Sequence, residues 1–284
     1  MEEHGETCLE QTHLVHKEDI PVKKVYSGAD YDVLFEPDVY LSDQYSDFVT
    51  SSSSEITAIM NRLHEVYSTG NIKGQRLLDI GTGPSLVNLI SASRCFEEIY
   101  LSDFSTANRD ALKKWQKKEE RETWSWESFF RHVAKLEGNE DSWNSLQDEF
   151  RDKTKAVYFC DVNNANPLSP VDTSPFDTIT TSYCLETACQ NEGEYRQAMK
   201  NVASLLKPRG YFIMLAGLKE TYYLVGGNNW RTLPLQEEQY RDALQKADLE
   251  VVSWHPIKRQ ENVLDIESDY VGCFIVVARK KNGP

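Results

Sequence analysis

Short apolar stretches alternate with helix-length segments from Arg76 to the C-terminus. Most of these stretches are rich in β-branched or aromatic residues and end at polar turns, as strands do. The predicted strands cover residues 76–80, 98–103, 156–162, 177–184, 210–217, 249–256 and 272–280. The predicted helices cover residues 84–93, 107–118, 126–136, 142–152, 194–206 and 236–247. Strands that alternate with helices form right-handed crossovers, so the pattern predicts an α/β fold with a mostly parallel seven-stranded sheet covered on both faces.

The two ends of the chain depart from this alternation. No helical pattern separates the last two predicted strands, and a parallel connection usually needs one, so we expect an antiparallel last strand. Residues 1–30 carry many charges without sustained periodicity, which predicts a loosely ordered tail. A run of hydroxyl residues at 50–54 offers candidate caps for an amphipathic helix. The apolar positions of that helix are Ile56, Ile59, Met60, Leu63 and Val66.

Composition and charge exclude several classes of protein. The formal net charge of -14 argues against a nucleic-acid partner, which requires clustered Lys and Arg. The N-terminus has neither a basic start nor an apolar stretch, and apolar runs such as 211–218 are shorter than the ~18 residues that span a bilayer. The six cysteines form no Cys-x-x-Cys pair, so neither a disulfide framework nor a metal site is indicated. We expect a cytoplasmic, monomeric protein without a membrane partner.

The most specific short motif is the strand and turn from Leu77 to Pro84, which contains Gly81 and Gly83. Glycine permits close approach of a ligand to the backbone, and Asp103 at the end of the next strand can accept both hydroxyls of a ribose. Leu86 stands where a dinucleotide fingerprint has its third glycine, which normally lets a helix press against a pyrophosphate. The motif therefore favours an adenosine cofactor without a diphosphate, such as S-adenosylmethionine.

A tight structural turn could also recruit two glycines, so the neighbouring strands matter. Asp161 ends the third predicted strand, after Phe159 and Cys160. Three successive strands then bring polar groups to one edge of the sheet, which favours a ligand site over a bare turn.

A series of short motifs follows in order from residue 31 to the C-terminus. The motifs are Phe35-Glu36-Pro37 with Tyr40-Leu41, Leu78 to Pro84, Leu101 to Phe104, Leu136 to Gly138, Cys160 to Val162, Cys184 to Glu186, Leu205 to Pro208, Tyr222-Tyr223 with Gly226, and Val277 to Lys281. This series resembles the small-molecule amine and pyridine N-methyltransferases, a family that includes the phenylethanolamine, indolethylamine and nicotinamide N-methyltransferases.

The resemblance implies a class I S-adenosylmethionine-dependent methyltransferase fold, Rossmann-like, with residues 31–75 as an N-terminal helical lid and 76–284 as the core. It implies S-adenosylmethionine as the cofactor, S-adenosylhomocysteine as the product, and no metal. Where several relatives have a tyrosine after the glycine turn, this chain has Val87. The implied cofactor-binding residues are Tyr31, Tyr40, Tyr45, Gly81, Thr82, Gly83, Asp103, Asn108, Asp161, Val162 and Ser182.

The resemblance also implies a substrate site. Glu186 and Glu220 match the carboxylate pair of the phenylethanolamine enzyme and are the expected catalytic residues. A further carboxylate aligns with Glu267, Ser268 or Asp269, of which Asp269 is the expected substrate-binding residue. The other implied substrate-binding residues are Gln44, Tyr183 and Tyr223.

The expected reaction is methyl transfer to the nitrogen of a small arylalkylamine. Alkylamines are mainly protonated at neutral pH, so a carboxylate must accept a proton before the nitrogen can attack. The glutamates at 186 and 220, and Ala216 in place of an aspartate that holds nicotinamide, argue against that substrate. The alternatives are a pyridine or thioether methyltransferase and a non-catalytic S-adenosylmethionine-binding protein. A nicotinamide-dinucleotide reductase ranks below both.

Overall fold

A computed structural model describes residues 24–50, 55–119, 124–259 and 268–282. Its strands are β1 (Val25–Tyr26), β2 (Gly74–Ile80), β3 (Phe96–Asp103), β4 (Thr154–Phe159), β5 (Phe176–Ser182), β6 (Leu206–Gly217), β7 (Tyr222–Val225), β8 (Asn228–Arg231), β9 (Leu249–Lys258) and β10 (Gly272–Lys280). Its α-helices are α1 (Tyr31–Leu34), α2 (Pro37–Thr50), α3 (Glu55–Ser68), α4 (Thr106–Gln116), α5 (Glu127–Leu136), α6 (Trp143–Lys153), α7 (Leu185–Ala188), α8 (Glu192–Ser204) and α9 (Glu237–Lys246). Among these helices, none is both long and apolar enough to cross a membrane.

The main sheet has seven strands in the order β4-β3-β2-β5-β6-β10-β9. The neighbours from β4 to β6 pair in parallel, whereas β10 is antiparallel to both β6 and β9. The predicted fold class is confirmed, including the antiparallel last strand. Strand order reverses beside β2, and open α/β sheets bind ligands at such a switch point, beyond the carboxyl ends of the strands.

Two hydrophobic clusters cover the two faces of this sheet. Leu77 belongs to the cluster that packs under α3, α5 and α6, and its neighbour Leu78 belongs to the cluster under α8 and α9. Successive side chains of a strand point to opposite faces, so a sheet covered on both sides needs consecutive apolar residues. This requirement explains why the predicted strands are apolar stretches.

The α-helix predicted over 84–93 is wrong, because the segment forms two short 3₁₀ turns, Val87–Leu89 and Ala92–Cys95. Its apolar residues are buried all round and not along one face. The Ser93 hydroxyl donates to the Ile90 carbonyl at 2.7 Å. Serine hydroxyls compete in this way with regular helical hydrogen bonding, and burial without a polar face carries no helical period.

A second sheet of three strands, order β1-β8-β7, lies outside the seven predicted strands. Gly226 and Gly227 form the turn between β7 and β8 with φ angles of 57° and 69°, which glycine adopts readily. β1 pairs in parallel with β8 and lies in the segment expected to be a loose tail, while residues 1–23 of that tail lie outside the described residues. The hydroxyl run at 51–54 lies outside them as well.

An aromatic cluster fixes this small sheet to the N-terminal helices. Trp230 on β8 is 1% exposed, and its ring centroid lies 5.3 Å from that of Tyr26, 4.5 Å from that of Tyr31 and 5.5 Å from that of Phe35. We call β1, α1, α2 and the β7–β8 hairpin the roof, because they lie over the switch point of the main sheet.

Truncation of Trp230 tests this assembly. Trp230→Ala is expected to lower the free energy of unfolding by about 3–5 kcal/mol, because a large buried side chain leaves a cavity. Urea denaturation followed by circular dichroism measures the loss, with Trp230→Phe as the matched variant that keeps an aromatic ring and loses less. A loss below about 1 kcal/mol in the alanine variant would contradict the packing described.

Candidate active site

A cavity of about 1010 Å³ lies between the roof and the carboxyl ends of the central strands. The glycine turn after β2, the ends of β3 and β5, α2, α3 and the hairpin all contribute to its walls. The register explains the convergence, because Ile80 pairs with Ser102 on one side and with Thr181 on the other. The residues that follow these strands therefore face the same space.

The glycine turn forms one end of the cavity. Gly81 and Gly83 have φ angles of +66° and +61°, in a region that side chains rarely adopt. A Cβ at Gly81 would lie 2.2 Å from the Cys184 sulfur, whereas a Cβ at Gly83 would meet nothing within 4 Å and would occupy the cavity. Close packing requires the first glycine, and the open floor of the cavity requires the second.

Asp103 fixes the turn from the end of β3. Its carboxylate accepts hydrogen bonds from Gly83 N at 2.7 Å, Ser105 N at 2.8 Å and Asn108 Nδ2 at 3.1 Å. Burial raises the pKa of Asp103, and these three donors act against that rise. The Oδ1 atom of Asn108 is buried without a partner among the described residues. Such an acceptor is satisfied when a ligand hydroxyl donates to it.

The remaining predicted cofactor-binding residues also line the cavity. Val162 is buried, and its carbonyl accepts from Asn201 Nδ2 at 3.0 Å. Asp161 Oδ1 accepts from Asn163 N at 3.0 Å, which holds the loop after β4 against this wall. The full predicted set in the lining is Tyr31, Tyr40, Tyr45, Gly81, Thr82, Gly83, Asp103, Asn108, Asp161, Val162 and Ser182.

Two tyrosines of α2 close the cavity from the roof. The ring centroids of Tyr40 and Tyr45 lie 6.0 Å apart in an edge arrangement. Burial raises the pKa of both hydroxyls, so each stays protonated at neutral pH. A protonated phenol donates a hydrogen bond to a ligand and presents its ring to the same space.

Glu220 lies at the other end of the cavity, between β6 and β7. It is 8% exposed, and its Oε1 accepts from the Ser268 hydroxyl at 2.5 Å. Burial raises the pKa of Glu220 to about 7, although Ser268 acts in the opposite direction. A carboxyl group with this pKa is suited to accept a proton at neutral pH.

Glu186 does not appear among the described residues that line the cavity. It is 2% exposed on α7, and its Oε1 has no hydrogen-bond partner in the described part of the chain. Burial, reinforced by the charge of Glu220, raises its pKa to about 8. The structure therefore places this predicted catalytic residue behind the cavity wall, near Glu220, whose carboxylate lines the cavity.

Of the predicted substrate-binding residues, Gln44, Tyr183 and Tyr223 line the cavity and Asp269 does not. The Asp269 carboxylate accepts from Thr221 N at 2.7 Å, outside the cavity wall. Ser268 pairs with Tyr223 in an isolated bridge, and alternate residues of an extended segment face opposite sides. Ser268 and Tyr270 therefore face inward, and Asp269 faces away.

Glu55 is a cavity residue that the sequence analysis did not identify. Its Oε2 accepts from the Tyr270 hydroxyl at 2.6 Å, and the Cys273 thiol lies 3.6 Å from Oε1. An acidic residue in the first turn of a helix is common because it interacts favourably with the helix dipole. No local signal distinguishes Glu55 from that general preference.

The model of the NNMT/PNMT/TEMT family matches residues 23–281. The chain belongs to this family. It is 34% identical to indolethylamine N-methyltransferase of Oryctolagus cuniculus, with 90% of this chain and 97% of the relative covered. It is 33% identical to nicotinamide N-methyltransferase of Homo sapiens, over 88% and 94%. It is 30% identical to phenylethanolamine N-methyltransferase of Rattus norvegicus, over 87% and 88%.

Solved structures support the fold of this family member. A magnesium protoporphyrin IX methyltransferase from Synechocystis with bound S-adenosylmethionine has a TM-score of 0.56 at 12% identity, covering 89% of this chain and 94% of the other. A methyltransferase from Methanosarcina mazei has a TM-score of 0.53 at 13% identity, covering 77% and 98%. The resemblance expected from the motifs is confirmed, and the chain is an S-adenosylmethionine-dependent methyltransferase.

The glycine-turn end of the cavity fits this cofactor. The open floor at Gly83 leaves room for a ligand, and Asp103 and the Asn108 oxygen, which has no partner among the described residues, could accept hydrogen bonds from ribose hydroxyls. The residues described include no group of three or more His, Cys, Asp or Glu side chains arranged to hold a metal ion.

Asp103→Asn tests the cofactor end of the cavity. Loss of a charged acceptor that holds the turn is expected to weaken S-adenosylmethionine binding by roughly 10- to 100-fold, since hydrogen bonds to charged groups contribute about 1.5–3 kcal/mol. Isothermal titration calorimetry measures the change. Asp110→Asn is the matched control, because this exposed residue on α4 forms an ion pair with Lys113 on the protein surface. Equal affinities for wild type and Asp103→Asn would refute the assignment.

Glu186→Gln tests the buried carboxyl group. The native pKa of Glu186 is about 8, against an ordinary value of 4.5, so the unfolded state loses its proton first as the pH rises. Below about pH 4.5, Glu186 is protonated in both states and does not change the free energy of unfolding. Between about pH 4.5 and pH 8, it lowers the free energy of unfolding of the wild type increasingly as the pH rises. The glutamine variant should be the more stable protein at pH 8 by a few kcal/mol, with little difference at pH 5.

Urea denaturation at the two pH values measures this effect. The exposed Glu65, changed to Gln, is the control, and it should show no pH-dependent difference from wild type. A constant difference between Glu186→Gln and wild type at both pH values would contradict the shifted pKa.

Proposed function

We propose that this protein transfers the methyl group of S-adenosylmethionine to the nitrogen of a small arylalkylamine. The observation that carries the proposal is Glu220, a largely buried carboxylate that lines the cavity among aromatic side chains. The relatives named for indolethylamine and phenylethanolamine support an amine acceptor. Tyr183 and Tyr223 supply ring faces that can position an aromatic acceptor.

When bound, S-adenosylmethionine supplies an electrophilic methyl group whose C–S bond breaks with its electron pair on sulfur, leaving S-adenosylhomocysteine. Glu220 accepts a proton from the ammonium form of the acceptor, directly or through water, which frees the nitrogen lone pair to form the new C–N bond. A pKa of about 7 leaves a substantial ionised fraction of Glu220 at neutral pH for this purpose.

After transfer, the nitrogen carries a positive charge. Once Glu220 has passed the accepted proton on to solvent, its carboxylate is ionised again and stabilises this charge. Tyr40 and Tyr45 close the cavity from the roof and help to exclude water from this end. In this proposal Glu186 lies behind the cavity wall, where burial and the charge of Glu220 disfavour its ionisation. With a pKa of about 8 it stays mostly protonated at neutral pH, so Glu220 is the proton acceptor.

A nicotinamide-like pyridine is the second candidate acceptor, favoured by the 33% identity to the human nicotinamide enzyme. A pyridine nitrogen has a free lone pair at neutral pH and requires no proton acceptor. A thioether sulfur has the same property. Dependence on Glu220 therefore separates amine acceptors from both other classes.

The deciding experiment is radiolabelled methyl transfer to tryptamine, phenylethanolamine, nicotinamide and a thioether. We expect the amines to be turned over most efficiently, and Glu220→Gln to lower kcat/KM for them by roughly 100-fold or more, the usual contribution of a positioned proton acceptor. Calorimetry should show unchanged S-adenosylmethionine affinity, and Glu65→Gln is the matched control.

Nicotinamide or the thioether outcompeting both amines would replace the proposal with that acceptor class. Cofactor binding without turnover of any acceptor would favour a non-catalytic binding protein. Full amine turnover by Glu220→Gln would remove Glu220 from the mechanism.

A further inference from the structure

The substrate end of the cavity holds a second carboxylate, Glu55, that the proposed methyl transfer does not use. Glu55 stands at the start of α3 and lines the same cavity as Glu220. Its charge lies close enough to Glu220 to disfavour ionisation of that carboxyl group. The two side chains come from elements far apart in the chain, so the fold has brought two acidic groups into one cavity.

The inward-facing segment at residues 268–270 holds both carboxylates by one oxygen each. The Ser268 hydroxyl donates to Glu220 Oε1 at 2.5 Å, and the Tyr270 hydroxyl donates to Glu55 Oε2 at 2.6 Å. Arg259 fixes this segment from behind by donating to the Ser268 and Tyr270 carbonyls at 2.8 and 2.7 Å. Positions fixed in this way are preorganised for a ligand.

The second oxygen of Glu55 lacks a strong donor among the described residues. The Cys273 thiol lies 3.6 Å from Oε1, and a thiol is only a weak hydrogen-bond donor. Burial raises the pKa of Glu55, because the ionised carboxylate loses hydration at this position. A cationic donor in the cavity would offset that loss.

The charges around Glu55 also favour a cationic ligand. Among the described residues that shift the pKa of Glu220, Asp269 and Glu55 contribute two further carboxylates and Arg259 contributes a guanidinium. A monoamine bound at Glu220 would leave Glu55 without an ammonium partner. The rings of Tyr183, Tyr223 and Tyr270 also line this space, and aromatic faces attract ammonium groups.

We propose that Glu55 is a specificity-determining residue that binds a second protonated nitrogen of the acceptor, so that the preferred substrate is an aromatic diamine. One nitrogen lies at Glu220 and receives the methyl group, and the other remains an ammonium ion at Glu55. The inference rests on the proposed function for the transfer step, but recognition of the second ammonium can be measured without transfer.

The test compares 1,4-bis(aminomethyl)benzene with 4-methylbenzylamine, which share the ring and one aminomethyl group and differ in the second ammonium. The 1,3-substituted isomer samples a second nitrogen spacing. Calorimetry on the protein loaded with S-adenosylhomocysteine measures affinity, and radiolabelled transfer measures kcat/KM. We expect at least one diamine to bind wild type about 10-fold or more tightly than the monoamine, the effect of a partly desolvated charge pair.

Glu55→Gln should abolish this preference, because it should weaken binding of the diamine by about 10-fold more than it changes binding of the monoamine, while Glu65→Gln on the same helix should preserve the preference. Glu55→Asp, which keeps the charge, should retain part of the preference. A purely structural role would weaken both ligands by the same factor, and that result would overturn the inference.

Wild-type protein that binds both diamines and the monoamine equally would also overturn it, whether or not the variants fold. If no amine is methylated but the diamine preference depends on Glu55, the proposed function fails and the recognition site stands. If amines are methylated without a diamine preference, the proposed function stands and this inference fails.

Discussion

The hydrogen bond from Gly83 N to Asp103, 2.7 Å long, connects the two strand ends on which the site depends. It holds the turn after β2 in the left-handed conformation that only glycine adopts without strain, and it fixes the carboxylate at the end of β3. Asn108 and Ser105 bind the same carboxylate from the start of α4. One buried acidic side chain thus sets the floor of the cavity, the orientation of its polar wall and the start of a helix.

The acidic residues of the cavity carry an energetic cost that is consistent with the proposed binding of cations. Burial raises the pKa of Asp103, Glu220 and Glu55, because a carboxylate loses hydration when it leaves water. A sulfonium cofactor and an ammonium acceptor are both cations, and each would offset part of that cost. Buried carboxylates without a cationic partner destabilise the empty protein. Cationic ligands that bind them should therefore stabilise the fold.

The main sheet and its candidate ligand-binding edge could be predicted because both depend on patterns among residues that are close together in the sequence. Alternating apolar strands and glycines at a strand end are visible along the chain, and the predicted cofactor residues line one cavity. The Gly226-Gly227 pair is a local hairpin signal of the same kind, although no hairpin was predicted from it. Glu55 was not predictable, because its partner Tyr270 lies 215 residues away. Glu186 was read correctly as lying after β5, but the depth of its burial depends on packing that no local pattern encodes.

The roof shows how ligands can exchange without loss of the core. Leu41 and Tyr45 of α2 are anchored in the main core, whereas the hairpin is joined to the N-terminal segments by slender links. These links include the two-residue strand β1 beside β8, the bond from Gln44 to the Leu224 carbonyl at 3.3 Å and the bond from Gly226 N to Asp43 at 2.7 Å. Contacts of this kind can open locally at far lower free energy than global unfolding requires. Release of S-adenosylhomocysteine would then depend on how long these few contacts last. The rate of product release and the rigidity of the active site could therefore evolve independently.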